Sequence, residues 1–177
     1  MIERIKRSAY REMLWKNGLG ITFEIARDTK EPPAWRLSIA TIAHDGPFSS
    51  FFGYDRTIVA LDDGGVVLKV DSVLQELALL EPYSFRGESV VSATVSSPPV
   101  RDLNVMTLRT QLRHEVAKLV LQPNTSIPVA TQERCFVYCP GGDTLVRNTT
   151  GMLPAGSEFG ACEVFVIRIR PNAPLRS

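Results

Sequence analysis

The chain has 177 residues, of which 44% are hydrophobic and 22% are charged, and its formal net charge is +1. This length fits one domain or two small fused halves that bury a core without metal or disulfide staples. The near-neutral charge argues against nucleic-acid binding, which normally needs a strongly basic face. The densest basic stretch, residues 4–16, is interrupted by Glu12, and we interpret it as a solvated strand edge.

The N-terminal residues 1–6 contain no apolar signal core, and no run approaches ~20 uninterrupted apolar residues. We therefore expect a cytoplasmic protein without a membrane partner. The chain has three cysteines, Cys135, Cys139 and Cys162, which cannot all pair with one another. We interpret them as reduced, mostly buried thiols.

The N-terminal part of the chain predicts a turn, a strand and a loop. Residues 15–18 predict a turn because Asn17 and Gly18 tolerate positive φ. Residues 19–26 alternate between apolar and mostly small or polar side chains, which predicts a half-buried strand. Residues 28–34 contain two successive prolines, which exclude a helix and an inner strand.

Residues 35–43 predict the central strand, and its two faces differ in chemistry. One face carries Trp35, Leu37, Ile39 and Thr41, and the other carries Arg36, Ser38, Ala40 and Ile42. The first face is bulky and apolar, whereas the second is small and partly polar beside an arginine. The second face suits the floor of a cavity better than a packed core.

A second strand is predicted at residues 57–61 and a third at residues 66–70. The tetrad Asp62–Gly65 between them predicts a tight hairpin turn, because Asp and Gly tolerate left-handed backbone. Residues 72–80 fit either a short helix or a bent strand, and Pro82 stops both.

The remainder of the chain continues as short apolar runs separated by turn residues. These runs lie at residues 89–95, 100–108, 116–121, 134–138, 144–147 and 163–169. Roughly a dozen strands at spacings of about 8–12 residues predict an all-β sandwich or barrel. Only residues 72–80 and 114–118 leave room for a helix.

One motif in the second half resembles the second conserved motif of the cupins, Pro-x-Gly-x-x-His. Pro154, Gly156 and Phe159 occupy its positions, so a phenyl ring stands where the metal-binding histidine belongs. The corresponding run of the first half, residues 82–88, also lacks histidine. His44 and His114 offer too few partners for a Cys/His metal site. We expect neither a bound metal nor another cofactor.

Three longer blocks resemble the HutD/Ves family. They read Trp15-Lys16-Asn17-Gly18-x-Gly20-x-Thr22-x-Glu24-Ile25, then Trp35-Arg36-x-Ser38-Ile39-Ala40 with Asp45-Gly46-x-Phe48-Ser49-x-Phe51-x-Gly53-x-x-Arg56, and finally Pro82-x-x-Phe85-x-Gly87-Glu88 with Asp102-Leu103-Asn104-x-Met106. Together they span residues 15–106. The resemblance implies two fused cupin-like β-barrels, a bicupin of the RmlC-like jelly-roll type with very little helix. It also implies a role in histidine utilisation or stress response through binding of a small pathway metabolite.

The polar members of these blocks supply the candidate site. We predict a pocket for a small anionic metabolite with Arg36 and Arg56 as anion anchors, since an arginine fork fits a carboxylate bidentately. The orienting donors are Ser38, Ser49 and Asn104, and Trp35 or Phe51 forms a wall. The alternative is that each arginine pairs with a carboxylate and ties strands together.

We assign no catalytic residue, and Glu24 and His44 are the weak candidates for a general base. They carry the rival hypothesis, a metal-independent isomerase or hydrolase acting on a small carboxylate. A third hypothesis is a protein–protein adaptor, which requires a large exposed apolar patch.

The predicted domain division places the barrel with the family motifs and the pocket at residues 1–106 and a second cupin-like half at residues 107–177, in one compact unit. Exposed sheet edges need covering, and pairing with a second copy is a common solution. We therefore expect a homodimer.

Overall fold

The computed structural model of the chain describes residues 2–15, 20–148 and 151–173. These residues form seventeen strands, two short 3₁₀ segments and one five-residue helix, which confirms the all-β class. Contacts divide them into an N-terminal unit, Tyr10–Arg109, and a C-terminal unit of the described residues up to Ala9 and from Thr110 onward. Within the described residues, no helix is long and apolar enough to cross a membrane.

The N-terminal unit contains two antiparallel sheets. Its strands are β2 (Arg11–Leu14), β3 (Ile21–Arg27), β4 (Trp35–Ile42), β5 (Gly46–Pro47), β6 (Tyr54–Ala60), β7 (Val66–Val70), β8 (Val73–Glu76), β9 (Tyr83–Arg86), β10 (Val91–Val95) and β11 (Val100–Leu108). One sheet has the order β2-β3-β4-β11-β6-β9, and the other has the order β5-β10-β7-β8. This is the cupin-like jelly roll that the sequence predicts.

The C-terminal unit is built around a five-stranded sheet. Its elements are β1 (Glu3–Lys6), β12 (Leu112–Val120), β13 (Ile127–Val129), β14 (Arg134–Cys139), β15 (Thr144–Asn148), β16 (Gly151–Leu153), α1 (Ala155–Phe159) and β17 (Glu163–Pro171). The sheet order is β1-β15-β14-β17-β12, and β13 pairs with β16. The first strand of the chain therefore belongs to the sheet of the C-terminal unit.

The core of the N-terminal unit fills part of the space between its two sheets. Its buried members are Ile42, Ile58, Ala60, Val66, Leu68, Val70, Leu77, Val91, Ala93 and Val100. Ile42 comes from the predicted small and polar face of β4, so apolar packing begins where that face ends. Leu37 and Ile39, on the other face of β4, are completely buried.

The prediction of a tight hairpin at Asp62–Gly65 is wrong. β6 and β7 lie in different sheets, and β7 pairs instead with β10 and β8. The tetrad carries the chain from one sheet to the other. Asp62, at its start, accepts a hydrogen bond from the guanidinium of Arg101 at 2.7 Å. Gly64 packs so closely on Val100 that a Cβ atom would overlap that side chain.

The unit does contain a tight hairpin, at the next connection. Asp71 and Ser72 both have positive φ, and they join Val70 and Val73, which face each other in register. Positive φ at both central residues is the signature of the turn that suits two twisted strands. Residues 72–80 therefore contain a strand rather than a helix. Residues 114–118 are likewise part of a strand, β12.

The cysteines and the cupin-like motif lie in the C-terminal unit. Cys135 and Cys139 share the buried face of β14, and all three cysteines are free thiols in the structure. Phe159, at the motif's histidine position, ends α1 and packs partly buried against the core of this unit. The turn predicted at residues 15–18 lies largely outside the described residues, and so does the start of the strand predicted at 19–26.

A buried carboxylate ties the turn at residues 130–133 to strand β17 in the C-terminal unit. Glu133, whose side chain is 1% exposed, lies 3.0 Å from Nη1 of Arg168 and 2.9 Å from Nη2 of Arg170. It also accepts a hydrogen bond from the backbone N–H of Ala130 at 2.9 Å. Burial alone would raise the pKa of Glu133, but the Ala130 N–H and the Arg168 guanidinium outweigh it and lower the pKa.

We expect Glu133→Ala to lower the free energy of unfolding by about 3 kcal/mol, because it leaves two guanidiniums without their buried partner. The matched control is Glu115→Ala, since the side chain of Glu115 is 63% exposed and lies 3.7 Å from Arg170. This change should cost less than about 1 kcal/mol. Urea unfolding of both variants measures the difference, and equal losses would contradict the assignment.

Candidate functional site

A cavity of about 470 Å³ opens in the N-terminal unit, within the size range of small-molecule sites. Its lining combines two arginines with phenylalanines, a tryptophan and small polar side chains. The lining residues are Met13, Leu14, Trp15, Thr22, Arg36, Ser38, Ala40, Ile42, Pro47, Phe48, Ser49, Phe51, Arg56, Asp102 and Asn104. The polar face predicted for β4 thus forms part of the cavity wall.

The register of the six-stranded sheet brings these side chains together. Residues directly opposite each other on neighbouring strands point to the same side of a sheet. One row across β3, β4 and β11 consists of Thr22, Ala40 and Asp102. The next row places Ser38 opposite Asn104. In the following row, Arg36 and Arg56 lie on either side of Met106.

Arg56 holds a charge that is almost completely withdrawn from water. The residue is 6% exposed, and its guanidinium donates to Oδ1 of Asn104 at 2.8 Å and to the backbone oxygen of Ser49 at 3.2 Å. Its Nε–H has no partner. The Cζ atom lies between 5.0 and 5.8 Å from the ring centres of Phe48, Phe51 and Phe85. Burial lowers the pKa of Arg56 to about 10, although the charge of Asp102 opposes the shift.

Arg36 is more exposed than Arg56, and its guanidinium makes fewer hydrogen bonds. Its Cζ atom lies 5.3 Å from the ring centre of Phe51, and one guanidinium nitrogen contacts the sulfur of Met106 at 3.6 Å. Its buried Nε–H has no partner. Burial lowers the pKa of Arg36, and the nearby charge of Glu24 opposes this shift. Among the described residues, neither Arg36 nor Arg56 forms an ion pair with a carboxylate.

Asp102 brings a carboxyl group to the same cavity. The residue is 1% exposed, and its Oδ2 accepts a hydrogen bond from Nδ2 of Asn104 at 2.5 Å, while Oδ1 has no partner. Asn104 therefore links Asp102 to Arg56, donating to one and accepting from the other. Burial raises the pKa of Asp102 to about 6, and the charge of Arg56 offsets part of that rise.

Close contacts with two glycines position two aromatic residues of the cavity lining, Trp15 and Phe51. Trp15 donates from its indole Nε1 to Oγ1 of Thr22 at 2.8 Å, and its ring lies so close to Gly20 that a Cβ atom there would overlap it. Phe51 is fixed because its N–H donates to the carbonyl of Gly87 at 2.7 Å. A Cβ atom on Gly87 would overlap the carbonyl oxygen of Phe51.

The structure gathers most of the predicted site residues at this cavity. Arg36, Ser38, Ser49, Phe51, Arg56 and Asn104 all line it. Trp35 does not, because the alternation of β4 turns its side chain to the opposite face, where it is 4% exposed. The binding roles of these residues stay predictions.

The two weak catalytic candidates lie outside the lining. His44 is exposed in the turn after β4. Glu24 is 7% exposed and lies 3.8 Å from Arg11. Sequence reasoning did not select Asp102, although its i, i+2 spacing from Asn104 places both side chains on one face of β11. Trp15 and Thr22 were also absent from the predicted site, although both belong to the first family block.

Comparison with known proteins confirms the resemblance that the blocks carry. The model of the HutD family matches residues 7–174. The chain belongs to the HutD family. It is 39% identical over 109 residues to the "Uncharacterized 21.2 kDa protein in hutC 3'region" of Pseudomonas putida, covering 59% of this chain and 57% of that protein. It is also 43% identical over 110 residues to "Protein Ves" of Citrobacter koseri, covering 58% of this chain and 56% of that protein.

These matches span little more than half the length of the curated relatives. A solved structure of HutD from Pseudomonas fluorescens SBW25, in a formate condition, superposes with a TM-score of 0.81. It is 27% identical and covers 98% of this chain and all of that one. The HutD-family fold therefore extends beyond the blocks at residues 15–106 into the C-terminal unit.

Metal binding was expected to be absent because histidine is missing from both cupin-like motifs. Within residues 2–15, 20–148 and 151–173, no cluster of three or more His, Cys, Asp or Glu side chains is arranged to hold a metal ion. The expectation of a metal-free protein stays a prediction.

We expect Arg56→Met to lower the free energy of unfolding by about 3 kcal/mol. The change leaves Oδ1 of Asn104 without its donor and Asp102 without the nearby positive charge. The matched control Arg36→Met should cost less than about 1 kcal/mol, because that guanidinium lacks an anionic partner. Urea unfolding measures both variants. A larger loss of unfolding free energy in Arg36→Met than in Arg56→Met would contradict this prediction.

The raised pKa of Asp102 has a defined effect on stability. Between the ordinary value of 3.8 and about 6, the folded protein holds this proton more tightly than the unfolded chain does. The contribution of Asp102 to the free energy of unfolding should therefore fall as pH rises through that window. Urea unfolding against pH should show this decline in the natural protein and not in Asp102→Asn. Identical profiles would contradict it.

Proposed function

We propose that the cavity of the N-terminal unit binds a small anionic metabolite that carries a carboxylate. The observation that carries the proposal is the pair of guanidiniums at the cavity, neither of which forms an ion pair within the described residues. Arginine matches the two oxygens of a carboxylate, and such charge-assisted bonds are strong where water is excluded. Phe48 and Phe51 supply apolar surface for the remainder of the ligand.

The two arginines take different parts in this function. Arg36 is the primary anchor, because it is the more exposed of the two and makes few polar contacts of its own. Arg56 supports the site from behind, since Asn104 and Ser49 already accept two of its hydrogen bonds. Its positive charge still reaches the ligand through a medium that screens poorly.

The biological setting of the proposal comes from family membership. One relative is named for a position in the hutC 3' region, and a solved relative is named HutD. We therefore propose a regulatory or auxiliary role in histidine utilisation, with a role in stress response as the variant that the resemblance to the HutD/Ves family implies. Urocanate, formylglutamate and formiminoglutamate are the ligands to test first, because each carries a carboxylate.

A specific observation favours a second candidate, a metal-independent isomerase or hydrolase acting on a small carboxylate. The carboxyl group of Asp102 lines the cavity, and its pKa of about 6 lies in the range of an effective general acid or base. In this candidate Asp102 replaces Glu24 and His44 as the proton-transfer group. Its Oδ1 is buried, which favours the binding function over the catalytic one.

Isothermal titration with the three carboxylates tests the binding function. We expect saturable heat with at least one of them, and Arg36→Met should weaken that affinity by at least about 10-fold with an unchanged melting temperature. The control Arg113→Met removes an exposed arginine of the C-terminal unit and should leave the affinity unchanged. Absence of heat at millimolar ligand would contradict the proposal for these metabolites. Chemical change of the ligand during incubation would favour the enzyme instead.

A further inference from the structure

The carboxyl group of Asp102 stands in an unusual position for a buried acid. It is 1% exposed, yet no guanidinium contacts it directly among the described residues, and its link to Arg56 passes through the amide of Asn104. Its Oδ1 atom has neither a hydrogen-bond partner nor contact with solvent. A carboxylate held in this way is poorly compensated, because burial disfavours its charged form.

The charged groups around the cavity come from several strands. β6 contributes Arg56, and β4 contributes Arg36. β3 contributes Glu24, which is paired with Arg11 of the neighbouring strand β2. The other polar groups beside Asp102, on β3, β4 and β11, are the neutral side chains of Thr22, Ser38 and Asn104. Glu24 lies outside the cavity lining, 3.8 Å from Arg11, so Asp102 is the carboxyl group that shares the described lining with the two guanidiniums.

We propose that Asp102 takes up a proton when the cavity binds an anion, so that the anion and the proton enter the site together. This inference rests on the proposed function and deepens it by naming the linkage. A bound anion adds a second negative charge beside a carboxylate that has no direct ion pair. The proton comes from solvent, forms an O–H bond on Asp102, and leaves the carboxyl group neutral while the anion remains.

The linkage follows from the geometry and the charges together. Arg56 is the positive group that favours the ionised form of Asp102, and an anion in the cavity competes for the same positive charge. Like charges sharing one site shift proton affinity upward. Because burial raises the pKa of Asp102 only to about 6, the group is mostly ionised near neutral pH and can accept a proton.

The coupling determines how anion affinity depends on pH. Above the pKa of the ligand-free carboxyl group, each bound anion should bring up to one proton, so affinity should fall by up to about tenfold for each unit of rising pH. Below that pKa, Asp102 is already neutral and affinity should level off. The site would thus retain its ligand best on the acidic side of neutrality.

Calorimetry with benzoate and nitrate as probes tests the inference. Nitrate is planar like a carboxylate and remains ionised throughout, so any pH dependence belongs to the protein. Titrations at about pH 7 in Bis-Tris and in Tris, two amine buffers that do not compete as anions and that differ in ionisation heat, yield the number of protons taken up. An anion that raises the pKa of Asp102 from about 6 by one unit or more should bring about 0.4 proton or more with it at pH 7. Asp102→Asn should bind with no proton uptake, whereas the matched control Glu24→Gln should retain it.

The outcomes separate the two proposals. Binding of benzoate or nitrate with no proton uptake overturns the coupling and leaves the anion-binding function standing. Absence of binding by both probes overturns the function for small planar anions, and the coupling with it. Loss of uptake in Glu24→Gln rather than in Asp102→Asn overturns the assignment to Asp102.

A second measurement covers the case in which Asp102→Asn fails to fold. Carbon-13 NMR of the natural protein follows the carboxyl carbon of Asp102 against pH, with and without saturating nitrate. Nitrate should move the midpoint upward by at least about one pH unit, which corresponds to tenfold tighter proton binding. An unchanged midpoint at saturation would overturn the inference.

Discussion

Burial of the Arg56 charge is the constraint on which the candidate site depends. A guanidinium that is 6% exposed must replace its hydration, and here neutral acceptors and phenyl rings do so in place of a carboxylate. Asn104 supplies one acceptor, the backbone of Ser49 supplies another, and three phenylalanine rings surround the Cζ atom. Such contacts hold the charge without cancelling it, so a positive field persists inside the cavity.

This arrangement explains why distant segments must be positioned together. Phe51 lies close to both guanidiniums, with its ring centre 5.3 Å from Cζ of Arg36 and 5.2 Å from Cζ of Arg56. Its place depends on a hydrogen bond to the backbone of Gly87, a position where only glycine avoids overlap with the Phe51 carbonyl. The loop before β6 and the turn after β9 therefore act together on the charges of the site.

The sequence predicted the all-β class, most strands and the polar face of β4, because alternation along one strand depends only on local geometry. It failed at the Asp62–Gly65 turn, since turn chemistry does not reveal which sheet the next strand joins. It also failed for Trp35 as a cavity wall, although the period of two already placed that ring opposite Arg36. Asp102 was not selected because its significance depends on burial and on the unpartnered Oδ1, and both arise only when β11 pairs with β4 and β6.

The number of direct contacts between carboxylates and guanidiniums distinguishes the candidate site from a structural ion-pair network. Glu133 in the C-terminal unit shows the structural case, in which one buried carboxylate is met directly by two guanidiniums and a backbone N–H. In the N-terminal unit, Glu24 faces Arg11, and Asp102 reaches Arg56 only through an amide. If the arginines of the cavity only linked strands, direct ion pairs like those of Glu133 would be sufficient. A cavity that keeps its cations apart from its own carboxylates leaves positive charge without a direct anionic partner, and this is the physical basis of the proposal that an anion binds here.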